Sequence, residues 1–378
     1  MRIKIICMIL PVIILVGVLS GCGVKDTTSN LPMNERIKKI ESELESSLKS
    51  DCEGKFSGSI FIARNGEVLY NKTFGMADYN KNTPVDSNTT FTIGTGASSF
   101  TATAIMLLQQ KGSLNVNDKI SKYIQGITNG DNITIENLLT NSSGIHDYYN
   151  LEDSFAKNRQ YSLDDLLGMI KGKPQDFEPG KKIESSRSNY VLLGYIIQKV
   201  SGKSFEDFVT ENIFKVLGMD HSGYYTQNSA SENKAIGYEK IGTGAVEAKK
   251  YDPSTIFPEG NLYTTTEDLY KFDQALYTEK LLKKDLTNKM FTPYQKLGSG
   301  NYTGYLWILG DTDDNNYIAA LEGGTSGFTS FFLRDMSKKQ TIIILSNMDT
   351  IAKNNKDNSD KIGAVYKTIT TTLRQLDY

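Results

Sequence analysis

Cysteine and histidine are nearly absent from this chain. Its 378 residues include three cysteines and two histidines. Cys7 and Cys22 lie in the N-terminal stretch, which leaves Cys52 alone in the body of the sequence. A lone thiol forms no internal disulfide, and no Cys or His lies near it to complete a metal set. His146 and His221 are too few for a multi-histidine zinc centre, and no carboxylate cluster takes their place. Neither a metal nor a cofactor is expected. Excess charge of one sign is also missing: 42 Lys+Arg stand against 44 Asp+Glu, with no basic face. That balance excludes the electrostatic footprint of a nucleic-acid-binding protein. With 39% apolar and 23% charged residues the chain reads as an ordinary globule, long enough for one large domain or two intermingled ones.

Long apolar runs are confined to the N-terminus. Arg2 and Lys4 precede an apolar run from Ile5 to Val18, short for a membrane span. The run ends at Leu19-Ser20-Gly21-Cys22, which resembles a bacterial lipobox. The resemblance implies a lipoprotein signal peptide over 1–21 and a lipidated (palmitate-bearing) Cys22. The mature protein would then sit on the extracytoplasmic face of the bacterial cell membrane, held by its lipid. Residues 22–33 are polar, with scattered Ser, Thr, Asn and Pro, and read as a tether.

The organising stretch of the remainder is Phe91 to Gln110. An extended Phe-Thr-Ile passes through Gly94 and Gly96 into a helix that is apolar almost all round, so the helix is expected to be buried. Thr95 at its start is a preferred N-cap residue. Before it, Ile37, Ile40, Leu44 and Leu48 mark an amphipathic helix over Asn34 to Ser50. Phe56–Ala63 and Glu67–Phe74 flank Asn65-Gly66, the strongest short hairpin signal. Helices are predicted over Ile135–Thr140, Leu163–Ile170, Tyr190–Val200, Phe205–Phe214 and Thr264–Leu276, the last opened by a Thr-x-x-Asp pattern. Ala230 to Tyr251 reads as a polar surface excursion. Strands return at Tyr305–Leu309, Tyr317–Leu321, Phe328–Arg334 and Thr341–Leu345, and a helix over Ile362–Leu376 closes the chain. Strands from both ends around a helical middle predict an α/β (α+β) architecture: one antiparallel sheet flanked by terminal helices, with a helical domain inserted. The sheet part is placed at about 34–94 and 300–378, the helical part at about 95–299, within one domain of 34–378. Site residues belong in the crevice between the two parts.

The order of segments resembles the serine β-lactamase and penicillin-binding-protein family, in its class C and D-alanyl-D-alanine-peptidase-like branch. Phe74-Gly75-Met76-Ala77-Asp78, Leu138-Leu139-Thr140-Asn141-Ser142-Ser143-Gly144-Ile145, Asn189-Tyr190-Val191-Leu192-Leu193-Gly194 and Gly323-Gly324-Thr325-Ser326-Gly327-Phe328 carry the likeness. It implies the serine β-lactamase/DD-peptidase fold. It also implies three catalytic motifs: a Ser-x-x-Lys opening the central helix, a Tyr-x-Asn or Ser-x-Asn in the helical domain, and a Lys-Thr-Gly or His-x-Gly on an inner strand.

The flanking residues place all three, and each has changed. The first motif reads Thr95-Gly96-Ala97-Ser98, the second Ser185-Ser186-Arg187 and the third Leu321-Glu322-Gly323. A threonine hydroxyl is nearly as nucleophilic as that of serine, but Ser98 is no amine base, and general-base assistance is worth about 10²–10⁴ in rate. Ser185 supplies no phenol, and Leu321 puts an apolar group where a cation or imidazole belongs. The backbone N–H groups of Thr95 and Gly324 are expected to survive as an oxyanion-binding pair. Arg187 is placed on a ligand carboxylate, in an ion pair with Glu322, or in a surface or loop-bracing role. His146 is taken as structural or solvated, and His221 is given no role. Thr95, Ser98, Ser185, Arg187, Glu322, Gly324 and Thr325 form the candidate binding set, with no catalytic residue assigned. Three functions follow: a catalytically inactive family member that binds a cell-wall (peptidoglycan) peptide, a β-lactam-like ligand or a protein partner; an active esterase, amidase or D,D-peptidase using Thr95; or a structural envelope lipoprotein.

Overall fold

The computed structural model describes residues 32–52, 55–149, 159–225, 233–240, 244–249, 252–258, 260–298, 300–311, 317–349 and 356–375. The stretch expected to be a signal peptide, Cys22 and most of the expected tether lie outside the described residues. An eight-stranded antiparallel sheet is built from β1 (Gly58–Arg64), β2 (Glu67–Phe74), β3 (Gln295–Gly298), β4 (Asn301–Thr303), β5 (Ile308–Asp311), β6 (Tyr317–Thr325), β7 (Phe328–Asp335) and β8 (Gln340–Ser346). Its order is β3-β4-β5-β6-β7-β8-β1-β2. The predicted β1–β2 hairpin turns at Asn65, whose φ of 52° is the left-handed value an Asn-Gly turn requires. β3 and β4 carry too few apolar residues for their sequence to have marked them as strands. The Ala230–Tyr251 stretch differs from a surface excursion: Tyr238 is fully buried and its hydroxyl accepts the Tyr79 N–H at 2.8 Å.

Inner strands of this sheet are apolar on both faces, and their period-2 alternation sorts the side chains into two cores. Ile60, Ile62, Phe331, Leu333, Ile342 and Ile344 point to one side, with Ile40, Leu44 and Leu48 of the first helix (Met33–Cys52) and Val365, Ile369 and Leu373 of the closing helix (Lys356–Gln375). Phe61, Ala319, Leu321, Phe332, Ile343 and Leu345 point to the other, into a larger core shared with the central helix (Ser98–Gln110) and the helical domain. From Ser98 to Leu108 the central helix is buried throughout, as its composition requires. Among the described residues no helix is long and apolar enough to cross a membrane.

Two buried features set local limits. Arg334 of β7 is 1% exposed, and its Nε lies 3.0 Å from Asp273 Oδ1 without the alignment of a hydrogen bond. Its guanidinium sits over the rings of Tyr277 and Phe291 at 4.4 and 4.7 Å, while Thr341 donates to Asp273 Oδ2 at 2.6 Å. The pair thereby ties the Thr266–Ala275 helix to the sheet. Cys52, free and buried, has its thiol pushed up to about 12 by burial and by neighbouring Asp51. Replacing Asp273 by Ala strands a buried guanidinium and is expected to cost about 3–5 kcal/mol, read as a fall in urea midpoint. Cys52 is expected to resist iodoacetamide at pH 8 in the native protein and to react on unfolding; rapid native labelling would contradict this.

Candidate active site

The site forms where β6 loses a neighbour. β5 pairs with β6 only from Tyr317 to Ala320, so Leu321 to Thr325 present a free edge. A 3₁₀ turn over Gly94–Ala97, leading directly into the central helix, occupies that edge. Glycine makes the approach close enough. Gly94 has φ +52°, and a Cβ there would stand 2.5 Å from Gly324 O and 2.8 Å from Gly324 N. A Cβ on Gly323 would meet Ile93 O at 2.0 Å and Gly96 N at 2.5 Å. Ser330 of β7 completes the clamp by donating to Ile93 O at 2.8 Å.

Thr95 does not cap the helix, contrary to the sequence expectation. Ala97 holds the N-cap position without a side-chain bond, and Thr95 instead donates its hydroxyl to Glu322 O at 2.8 Å. The helix starts only at Ser98, so Thr95 falls inside the preceding 3₁₀ turn, where its hydroxyl proton reaches a main-chain acceptor. Successive strand residues turn their N–H and C=O to alternate edges, so Gly324 shares the Glu322 edge and aims its N–H at the turn. Ser98, 1% exposed, donates to Leu306 O at 3.3 Å. Leu306 itself has φ +60° and donates its N–H to Leu139 O at 2.7 Å, which links the central helix to the Leu138–Ile145 motif. Nothing in the sequence marked Leu306, apart from the turn signal of Gly304 before it.

Neither motif hydroxyl meets a base. Among the described residues, no lysine, histidine or carboxylate side chain hydrogen-bonds to Thr95 or Ser98, and both protons go to carbonyl oxygens. A carbonyl oxygen takes up no proton near neutral pH, so these two contacts supply no general base. Leu321 lies 6% exposed in the same core as Trp307 and Phe332. Among the described residues no cluster of three metal-ligating side chains exists.

The second motif lies on another element. Ser185 is exposed, Ser186 precedes the Arg187–Ser201 helix, and Arg187 is its first residue. Arg187 Nη1 is 3.3 Å from Asp147 Oδ2, and its guanidinium lies 4.4 Å over the Tyr149 ring. The expected Arg187–Glu322 pair does not form. Glu322 is the register partner of Phe331, which packs on Tyr366 of the closing helix, so its side chain projects on the sheet face opposite Leu321. There the carboxyl reaches solvent, yet the protein crowded around it raises its pKa above the ordinary range. Thr325 is buried and its hydroxyl has no hydrogen-bond partner. The Asn141–Gly144 loop is braced by Asn189, which accepts from Ser143 at 2.6 Å and donates to Asn141 at 2.9 Å. His146 Nδ1 stands 3.0 Å from Asp176 Oδ1, partly exposed, and the backbone N–H of His221 donates to Asp268 Oδ2 at 2.8 Å. Asp147, the partner of Arg187, carried no sequence signal.

A buried helix that begins against a free inner-strand edge, with an antiparallel sheet behind it and a helical domain beside it, defines the serine β-lactamase/DD-peptidase fold. The family model for β-lactamase matches residues 51–367. The chain belongs to that family, the group shared by serine β-lactamases and penicillin-binding proteins. It is 36% identical over 324 residues to PbpX of Bacillus subtilis (strain 168), covering 85% of this chain and 76% of that one. It is 30% identical over 313 residues to penicillin-binding protein 4* of the same organism, covering 78% and 69%. The crystal structure of a penicillin binding protein from Bacillus halodurans superimposes with a TM-score of 0.73 at 25% identity, covering 85% and 98%.

The glycine contact is directly testable. Gly94→Ala adds a Cβ against Gly324 in a left-handed backbone, and overpacking of this kind costs about 1–3 kcal/mol. Its melting temperature is expected to fall well below that of Gly112→Ala, a left-handed turn glycine with open space around it. Equal melting temperatures for the two variants would refute the close contact.

Proposed function

We propose that this protein is a membrane-anchored, extracytoplasmic relative of the penicillin-binding proteins that binds its ligand without acylating it. The observation that carries the reading is the commitment of the Thr95 and Ser98 hydroxyls to carbonyl oxygens, with Leu321 packed where the family motif implies a basic residue. Nucleophile, base and strand cation act as a unit in this family's motifs, and losing the base alone forfeits most of the rate advantage. What remains is a recognition surface: the Gly324 N–H on the free edge, the N-terminal turn of the central helix and the rim that carries Arg187. The partner that suits it is a peptidoglycan peptide or a β-lactam-like compound. The lipobox-like Leu19-Ser20-Gly21-Cys22 supports attachment to the outer face of the cell membrane.

Incubation of the purified protein with a fluorescent penicillin, followed by denaturing electrophoresis, is expected to leave no labelled band. The same gel is expected to show slow labelling of a Thr95→Ser, Ser98→Lys, Leu321→His variant, because the oxyanion-side backbone is still in place. A stable adduct on the unaltered protein would overturn the reading. For the anchor, Cys22→Ala is expected to move the protein from the membrane fraction to the soluble fraction.

A further inference from the structure

The eight-stranded sheet has two unlike ends. At one, Thr325 pairs with Phe328 and Gly58 with Ser346, beside the crevice. At the other, a single transverse row crosses every strand, from Gly298 of β3 through Ile318 and Asp335 to Arg64 and Glu67. The Asn65-Gly66 and Lys338-Lys339 turns lie just beyond this row. At the usual strand spacing it is about 34 Å wide. The first helix leads to the same end. Its last residue, Cys52, accepts the Phe56 N–H near the start of β1, and Glu41 meets Lys72 at 3.0 Å partway along. Twenty residues span about 30 Å, against about 23 Å for β1, so Met33 stands at the turn end. The segment between Cys22 and Met33 reaches about 35 Å at full extension.

The surface of this end is amphipathic. Among the described residues four large apolar side chains are exposed, and two of them, Val68 at 43% and Leu297 at 38%, stand within one residue of the row. So do Tyr302 and Tyr317, which are half-buried and meet edge to face at 6.1 Å. Lys338 and Lys339 are exposed at the turn tip. The acid of that turn, Asp335, is turned inward, where its Oδ1 accepts the N–H groups of Ser337 and Lys338, both at 3.1 Å. Glu67 faces Arg64 across the register, and Glu35 is outnumbered by Arg36, Lys38 and Lys39 in the opening turns of the first helix. Asp311 is the exposed carboxylate left at this end. Tyrosines, scattered apolar side chains and lysines are the residues that settle at the headgroup level of a bilayer.

We infer that this end of the sheet rests on an anionic bilayer surface, with the Lys338-Lys339 turn among the lipid phosphates and Val68, Leu297, Tyr302 and Tyr317 at headgroup level. The crevice, at the opposite end, then opens away from the membrane. The inference rests on the anchored reading above and adds an orientation to it. Basic groups near an anionic leaflet are attracted within about a screening length, so the contact is local to the turn end and sensitive to salt.

Energy transfer from the lipidated protein in vesicles tests this. With Cys22 carrying lipid and Cys52 buried, the thiol introduced by Ser337→Cys or by Lys81→Cys is the one open to a maleimide dye. Position 337 is at the turn end, and Lys81, 79% exposed, follows β2 at the crevice end. On phosphatidylglycerol vesicles with an acceptor on the headgroup, transfer from position 337 is expected to exceed that from position 81 about twofold or more, since about 23 Å of strand separates the ends. Adding Lys338→Gln and Lys339→Gln is expected to bring the ratio towards one. Phosphatidylcholine vesicles are expected to do the same, as is 1 M salt, where the screening length is about 3 Å. Matching melting temperatures establish that the variants are folded. The contact is overturned if both positions transfer equally on phosphatidylglycerol, or if the ratio is unchanged in the double lysine variant or on neutral lipid. Transfer between dyes at position 337 of separate molecules would also overturn it, marking the end as an interface between copies. Protein left in the supernatant of sedimented vesicles overturns the anchored reading instead, so the two failures are distinguishable.

Discussion

The turn over Gly94–Ala97 sits against β6 only because glycine stands on both sides of the contact. Backbone meets backbone there, and Gly94 and Gly323 leave no room for a Cβ on either partner. Everything else at the site inherits its position from that contact. The central helix starts where the turn delivers it, Thr95 reaches Glu322 O because the strand edge is adjacent, and Gly324 turns its N–H inward because it shares that edge. Protein interiors are packed too densely for such a contact to relax by small increments. The geometry of the site is therefore held independently of the side chains that line it, since it is also how the sheet and the helical domain are joined.

That division explains why scaffold and site diverge in this chain. Substitutions at Thr95, Ser98, Ser185, Arg187 and Leu321 change side chains whose loss the fold tolerates. Ser98 ties its hydroxyl to Leu306 O, and Leu321 adds to the core it faces. These two side chains satisfy their own polar group or burial, which is what a stable protein demands of an interior position. The glycines had no such alternative.

Much of the fold was legible in the sequence, because the strongest signals were strong for physical reasons. Leu163–Ile170 matches its helix at both ends, and Ser162 caps it in a reciprocal box with Asp165. The Asn65-Gly66 hairpin and the buried central helix were equally plain. The edge strand β3 and its neighbour β4 were not. Gln295–Gly298 is exposed along most of its length, so hydrophobic periodicity had nothing to record. At the site, sequence order located the three motifs but not their side-chain contacts. Thr95 read as a cap because the unsatisfied N–H donors of a helix start are visible in one dimension, whereas the free edge of β6 is a product of topology. The Arg187–Glu322 pairing failed for a related reason, since strand alternation puts Glu322 on the far face, and only the register with Phe331 makes that clear.

The β1–β8 pairing has a consequence for how the molecule comes into being. Ser57 and Ser346, joined by a hydrogen bond at 2.8 Å, are 289 positions apart. β1 lies between the hairpin partner β2, available at once, and β8, which is synthesised almost last. Until β8 arrives, the β1–β2 hairpin leaves the inner edge of β1 unpaired beside apolar side chains, in addition to the outer edge that β2 keeps in the finished sheet, a state open to aggregation. The first helix can shield one face of that hairpin early, because Ile40, Leu44 and Leu48 lie against the same side as Ile60 and Ile62. That cover needs no later part of the chain, whereas the closing helix takes up the rest of the face only when the chain is complete.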